Sequence, residues 1–274
     1  MPRVLRRLVS SAVVIVLVFL PGIASAQSLG GPRPQTTALR SHGFVTGFKT
    51  LFGVQRIGAG GETAFDWDLD LSIDFNLFVV GFARGNVFGN FETIVGSELR
   101  AIDPNQSNFT VDLSIFFRLP RGELAVTFHH VSRHLVDRAR QASVSWNMLG
   151  IAYGDRFSIG QLEVDAGVRS MGTLLRRGVD YLGQFEAYVN IAHPITSGLS
   201  IIAGADAAII PVRSEKFGRR TRNGGRVEAG MRFLAGAAAV DLFAAWERRI
   251  DASSVDRDTA TWAQVGLRVA APAP

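Results

Sequence analysis

The chain has 274 residues, with 29 Lys+Arg against 24 Asp+Glu, a formal charge of +5 and no cysteine. The missing cysteine excludes a disulfide framework, a thiolate metal site and a lipoprotein anchor. The basic residues form no stripe beside aromatic stacking positions, so a nucleic-acid partner is not expected, and neither is a cofactor.

At the amino terminus Arg3, Arg6 and Arg7 precede a short apolar run, Val13 to Leu20. Pro21 and Gly22 then break the helix before Ala24-Ser25-Ala26, a small-residue cleavage site. This is the pattern of an export signal over 1–26. Without those three arginines the charge falls to about +2. Residues 27–43 read as a flexible leader. No later segment offers about 20 uninterrupted apolar residues, so no helical membrane anchor is predicted.

From Phe65 to Phe75 apolar and polar residues alternate without a slip, with Asp66, Asp68, Asp70 and Asp74 on one face. Successive strand side chains point to opposite sides, so the other face is wholly apolar. The same two-step recurs around Val111–Phe117, Leu124–Phe128, Leu162–Val168, Phe185–Ile191 and Val227–Phe233. A strand facing lipid on one side and a polar lumen on the other carries this period.

Short connections are predicted near 120–122, 154–156, 194–198 and 234–236, and longer polar ones at 132–140, 171–180, 211–225 and 248–258. Extending the alternation backwards adds long loops at 54–63 and 99–108. The first strand then begins at Phe44, and the last runs from Thr261 to Val269. The expected fold is all-β: a transmembrane antiparallel up-and-down β-barrel of about 12 strands over 44–270. The connection near 77–84 is unusually apolar for a turn, so the second strand extends there. A soluble β-sandwich would alternate too, but it would bury its apolar faces against each other. The export signal and the short/long rhythm favour the barrel, which would reside in the outer membrane of a Gram-negative cell. Its expected partners are outer-membrane lipid, lipopolysaccharide and the barrel-assembly machinery; the oligomeric state is left open.

On this register the lumen receives Asp66, Asp68, Asp70, Asp74, Glu92, Asp112, Glu163, Asp165, Glu186 and Glu228. Arg118, Arg169, Arg226, Arg232 and Arg268 are their available partners. Twelve strands enclose a narrow interior, so a plug of ion pairs is expected; a cation-preferring pore is the functional alternative. Arg176, Arg177, Arg219, Arg220 and Arg222 fall in outer loops, where guanidinium groups suit the phosphates of lipopolysaccharide.

Three of the five histidines lie in Phe128-His129-His130-Val131-Ser132-Arg133-His134-Leu135-Val136-Asp137. Alternation turns His129 to the lumen and His130 to the lipid side, with Ser132 beside it if the strand continues. His130-x-Ser132 resembles the pair of outer-membrane acyl hydrolases, the phospholipase and the lipid A deacylase. That resemblance implies His130 as base and Ser132 as nucleophile on the barrel's outer wall. Those enzymes follow the serine with asparagine, where this chain has Arg133. They also place an orienting Asn or Glu about a strand away. Here Val144 and Trp146 occupy the expected face, Asn147 is read as inward, and Asp137 is the substitute. His130 and His134 share a helical face only if the segment is helical, so no metal site is expected.

The stretch from His130 to Asp137 also resembles the His-x-Ser-Ser-His-Leu-x-Asp signature of an uncharacterised Gram-negative outer-membrane family, with Arg133 replacing the second serine. Asp103-Pro104-Asn105-Gln106-Ser107-Asn108 and Ser145-Trp146-Asn147 are similar to that family as well. The family implies an exported barrel and supplies no reaction. With the triad incomplete, a structural, transport or envelope-binding barrel ranks above a lipid esterase using His130, Ser132 and Asp137.

Overall fold

A computed structural model describes residues 42–58, 65–138, 143–254 and 257–271. The signal and nearly all of the leader lie outside these residues.

Twelve strands form one closed antiparallel sheet in sequential order: β1 (Gly43–Ile57), β2 (Trp67–Val80), β3 (Ala83–Gly96), β4 (Asp103–Arg118), β5 (Glu123–Leu135), β6 (Ser143–Ile159), β7 (Leu162–Arg177), β8 (Gly183–Thr196), β9 (Leu199–Ile210), β10 (Arg222–Ala235), β11 (Ala238–Arg249) and β12 (Ala260–Ala271). One helical turn, α1 (Ser214–Phe217), sits between β9 and β10. Pairing of β1 with β12, from Thr50↔Ala271 to Ile57↔Gln264, closes the ring. Closure leaves no free sheet edge, which is what lets strands cross lipid. No helix among the described residues is long and apolar enough to cross a membrane.

Leu71, Ile73, Val111, Leu113, Ile115, Val126, Leu149, Ile151 and Phe185 all face outward and exposed. In water such a belt would be an aggregation surface; in a bilayer it is the lipid contact. Trp67 and Leu113, which a sandwich would bury, stand outside at 42% and 48% exposure.

One end of the barrel has tight turns. Four of them turn through glycine at positive φ, among them Gly122 at 66° and Gly160 at 63°. The other end carries the long connections, and there the strands extend further than the sequence predicts. The expected loop at 99–108 is largely β4, because Asn105, Gln106 and Asn108 are buried and bonded: Asn105 to Glu98 (3.0 Å), Gln106 to the Ala252 carbonyl (3.3 Å) and Asn108 to Glu92. The expected loop at 132–140 starts only after Leu135, and that at 171–180 only after Arg177. The expected turn at 154–156 lies inside β6, whose turn comes at Gly160-Gln161. The strand face read near 77–84 does continue, to Val80.

Ion pairs and hydrogen bonds fill the lumen, several of them between strands that are not neighbours. Arg249 on β11 bonds Asp68 on β2 (2.7 Å), Glu92 on β3 (2.8 Å) and adjacent Glu247 (2.8 Å). Arg169 on β7 reaches Asp112 on β4 (2.8 Å) and Glu186 on β8. Arg226 on β10 reaches Gln55 on β1 (3.0 Å) and Glu228 (3.2 Å). Arg268 bonds Glu228 (2.6 Å), and Arg232 bonds Asp241 (2.7 Å).

At the loop end a small apolar core fills the mouth. Val131, Val144, Trp146, Met148 and Met171 point inward and pack against Val179, Tyr181 and Ile250 from the connections.

Candidate functional site

Segments β5 and β6 pair in regular antiparallel register, with His130 opposite Asn147 and Ser132 opposite Ser145. Directly opposed residues share a face. The inward residues of this wall are Val131, Arg133, Trp146 and Met148, all buried. Between them His130, Ser132, Ser145 and Asn147 face outward, all four half-buried. The His130 ring and the Asn147 amide meet at 2.5 Å, Nδ1 to Oδ1. A carboxamide oxygen only accepts, so Nδ1 carries the proton and donates it. Nε2 is then left as the basic nitrogen. Ser132 lies two residues further along the same face, about 6.6 Å at Cα, a span that an imidazole and a hydroxymethyl group can bridge.

The wall is polar above and apolar below. Phe109, Ser132, Ser145 and Arg177 form one directly paired outward row across β4 to β7. The next row is Val111, His130, Asn147 and Leu175; below it come Leu113, Phe128, Leu149 and Gly172. The three polar groups therefore sit where the apolar belt ends at the loop end of the barrel.

The sequence reading placed His129, His130 and Ser132 on their observed faces. His129 turns inward, 2.5 Å from Asp112. Two parts of that reading are corrected. Asp137 bonds Arg100 (2.5 Å) on the exposed rim and is not the partner of His130. Asn147 is outward, not inward. Trp146 misled the register: at the loop end the barrel interior is itself apolar, and Trp146 packs edge-on to Tyr181 at 5.0 Å inside it. The rule that apolar means lipid-facing fails wherever a plug has its own core. Regular alternation from Ser132 through the paired strand, applied without regard to residue type, would have found Asn147.

Arg133, the departure from both resembling families, is 2% exposed. It bonds the Asp251 carbonyl and lies 5.3 Å over the Trp146 ring. It ties β5 to the β11–β12 connection.

Of the expected lumen residues, Asp68, Asp70, Asp165 and Glu186 are buried inside, and Asp74, Arg118, Arg169, Arg226, Glu228 and Arg232 line the interior less deeply. Asp66 is the exception: it precedes β2, pairs with Arg56 (2.8 Å) at the rim and does not line the lumen. Among the described residues one acidic group has metal-like spacing, Asp68, Asp70 and Glu92. Arg249 already neutralises two of its members.

Of the expected lipopolysaccharide-facing arginines, three are engaged in the mouth. Arg176 bonds the Tyr181 carbonyl, and Arg222 the Arg257 carbonyl (3.1 Å). Arg219 clasps Asp180 (2.5 Å) and Asp251 (2.7 Å). Burial opposes that charge, yet the two carboxylates outweigh it and raise the Arg219 pKa. Burial, then Asp251, push the Tyr181 phenol upward. Arg177 and Arg220 remain exposed.

No protein-family model and no curated relative matches the chain. Solved structures do. Outer membrane phospholipase A from Escherichia coli is similar at 13% identity and a TM-score of 0.51, over 83% of this chain and 97% of that one. The KdgM porin in complex with disordered oligogalacturonate matches at 8% identity and 0.47, over 81% and 98%. The translocator domain of autotransporter NalP from Neisseria meningitidis matches at 13% and 0.43, over 84% and 88%. The likeness to the phospholipase barrel, at a TM-score of 0.51, shows the fold alone. The chain is a 12-stranded outer-membrane β-barrel.

Proposed function

We propose that this barrel is an outer-membrane acyl hydrolase, cleaving ester-linked acyl chains of lipids in the leaflet at its loop end. The hydrogen bond from His130 Nδ1 to Asn147 Oδ1 on the lipid-facing wall, beside Ser132, carries the reading. The bond satisfies the Nδ1–H on a lipid-facing wall, fixes the tautomer and leaves Nε2 free as an acceptor. A general base needs that tautomer.

In this reading Ser132 Oγ attacks the ester carbonyl carbon as His130 Nε2 takes its proton. Asn147 holds the ring and stabilises the imidazolium. The tetrahedral adduct collapses, the C–O bond to the alcohol breaks, and His130 returns the proton to the departing oxygen. Water then attacks the acyl-Ser132 ester, its proton passing through His130 back to Ser132. The products are a fatty acid and a lysolipid. The Ser145 hydroxyl, directly opposite Ser132, is placed to donate to the developing oxyanion.

The test is hydrolysis of phospholipid and lipid A esters by purified protein in detergent micelles. Wild type releases fatty acid, and Ser132→Ala lowers the rate by at least about a thousandfold, the scale of losing a nucleophile. Absence of wild-type turnover on every acyl ester would remove the reading.

A further inference from the structure

The wall that carries the proposed triad also carries one exposed cation at the same height. Arg177 ends the outward row Phe109, Ser132, Ser145, Arg177. Neighbouring strands lie about 4.8 Å apart, so its Cα is about 9.6 Å from that of Ser132. No carboxylate faces outward from β4 to β7 in the two rows that hold the triad or in the row below them. Arg177 has no ion-pair partner among the described residues, whereas its neighbour Arg176 turns inward to the Tyr181 carbonyl. A cation on the lipid face is costly deep in the bilayer and nearly free at the interface. An unpaired guanidinium therefore marks the headgroup level, and it does so two strands from the nucleophile.

We infer that Arg177 is the anchor for the phosphate of a lipid whose acyl ester lies at Ser132. Calling that lipid a substrate rests on the acyl-hydrolase reading; its binding does not. The guanidinium plane matches a phosphate through paired N–H donors, which an ammonium cannot reproduce. Phosphate and acyl carbonyl are a few bonds apart in such lipids, and the wall offers their complements in the same order: cation, hydroxyl pair, then Phe128, Leu149 and Leu113 for the chain. The recognised chemistry is a phosphomonoester or phosphodiester on an acylated lipid, as in glycerophospholipid or lipid A.

Two measurements on full-length protein in micelles test this. In the first, KM and kcat are compared for phosphatidylglycerol, lipid A and uncharged diacylglycerol. Arg177→Gln raises KM for a phosphorylated lipid roughly tenfold more than for diacylglycerol, and Arg177→Lys recovers part of the loss, as expected for one charge-assisted contact. Whichever phosphorylated lipid responds is the source. An equal change on charged and uncharged esters overturns the anchor and leaves the hydrolase standing. In the second, native mass spectrometry follows lipid retained from an equimolar mixture of the three. The preference for phosphorylated lipid falls about fivefold or more in Arg177→Gln, again the scale of one charged contact. An undiminished preference overturns the anchor. A lost preference in a protein without turnover keeps the anchor and removes the hydrolase.

Discussion

His130 is held by a neutral amide, and that choice has a consequence. A carboxylate orienter would place a bare charge one row nearer the apolar belt than Arg177, where the cost of charge begins to rise. Asn147 fixes the tautomer without that penalty and gives up part of the electrostatic stabilisation of the imidazolium. The loss on Asn147→Ala should therefore fall short of the roughly 10⁴-fold that a charged orienter contributes. About 100-fold in kcat is expected, with KM little changed. Steady-state kinetics on micellar phospholipid will read it, and a rate within twofold of wild type would remove Asn147 from the machinery.

At the scale of elements, β5 and β6 show two functions on one hairpin of sheet. Their outward residues form the candidate site, and their inward residues, Val131, Val144, Trp146 and Met148, form the core of the mouth. Packing on the inside restrains the backbone that presents the outside. Tyr181 links this core to the connections through a 2.7 Å bond from its hydroxyl to Asp251. Its pKa is raised by burial and by Asp251, so the folded protein keeps the phenol neutral where an unfolded chain would ionise it. That contribution is intact below pH about 10, the ordinary tyrosine value, and is lost as pH rises beyond it. Hydrogen exchange of the β7–β8 and β11–β12 connections should accelerate above pH 10 more in wild type than in Tyr181→Phe; equal acceleration would contradict the linkage.

The sequence made β2, β4 and β5 plain because each presents lipid on one side and charge on the other. It misled at β6, where Trp146 and Met148 are apolar for an interior reason. It misled too at 99–108, where polar side chains that look like loop are strand residues turned into the lumen. Local alternation reports which residues share a face. It does not report what that face meets, and Asn147 was lost in that gap.

On the whole-molecule scale, the barrel is held from within by charge. Arg249, 2% exposed at its side chain, forms ion pairs with Asp68, Glu92 and Glu247 from three strands. Removing it leaves three carboxylates facing one another. Arg249→Ala is expected to cost about 3–5 kcal/mol, the price of an uncompensated buried charge. Denaturant unfolding in detergent will measure it; a loss below about 1 kcal/mol, the surface-pair range, would mean the lumen is wetter than its contacts indicate. Bonds such as Arg226 to Gln55 and Arg169 to Asp112 tie together strands three places apart in the ring.

The most direct test is covalent labelling of the folded protein in detergent with a fluorophosphonate, which an activated serine attacks with loss of fluoride. Trypsin releases Gly122–Arg133, a peptide whose one serine is Ser132. The adduct is expected on that peptide in wild type, weakened in Asn147→Ala and absent in His130→Ala. No adduct on the folded wild type, or one that survives His130→Ala undiminished, would contradict a nucleophile driven by this histidine.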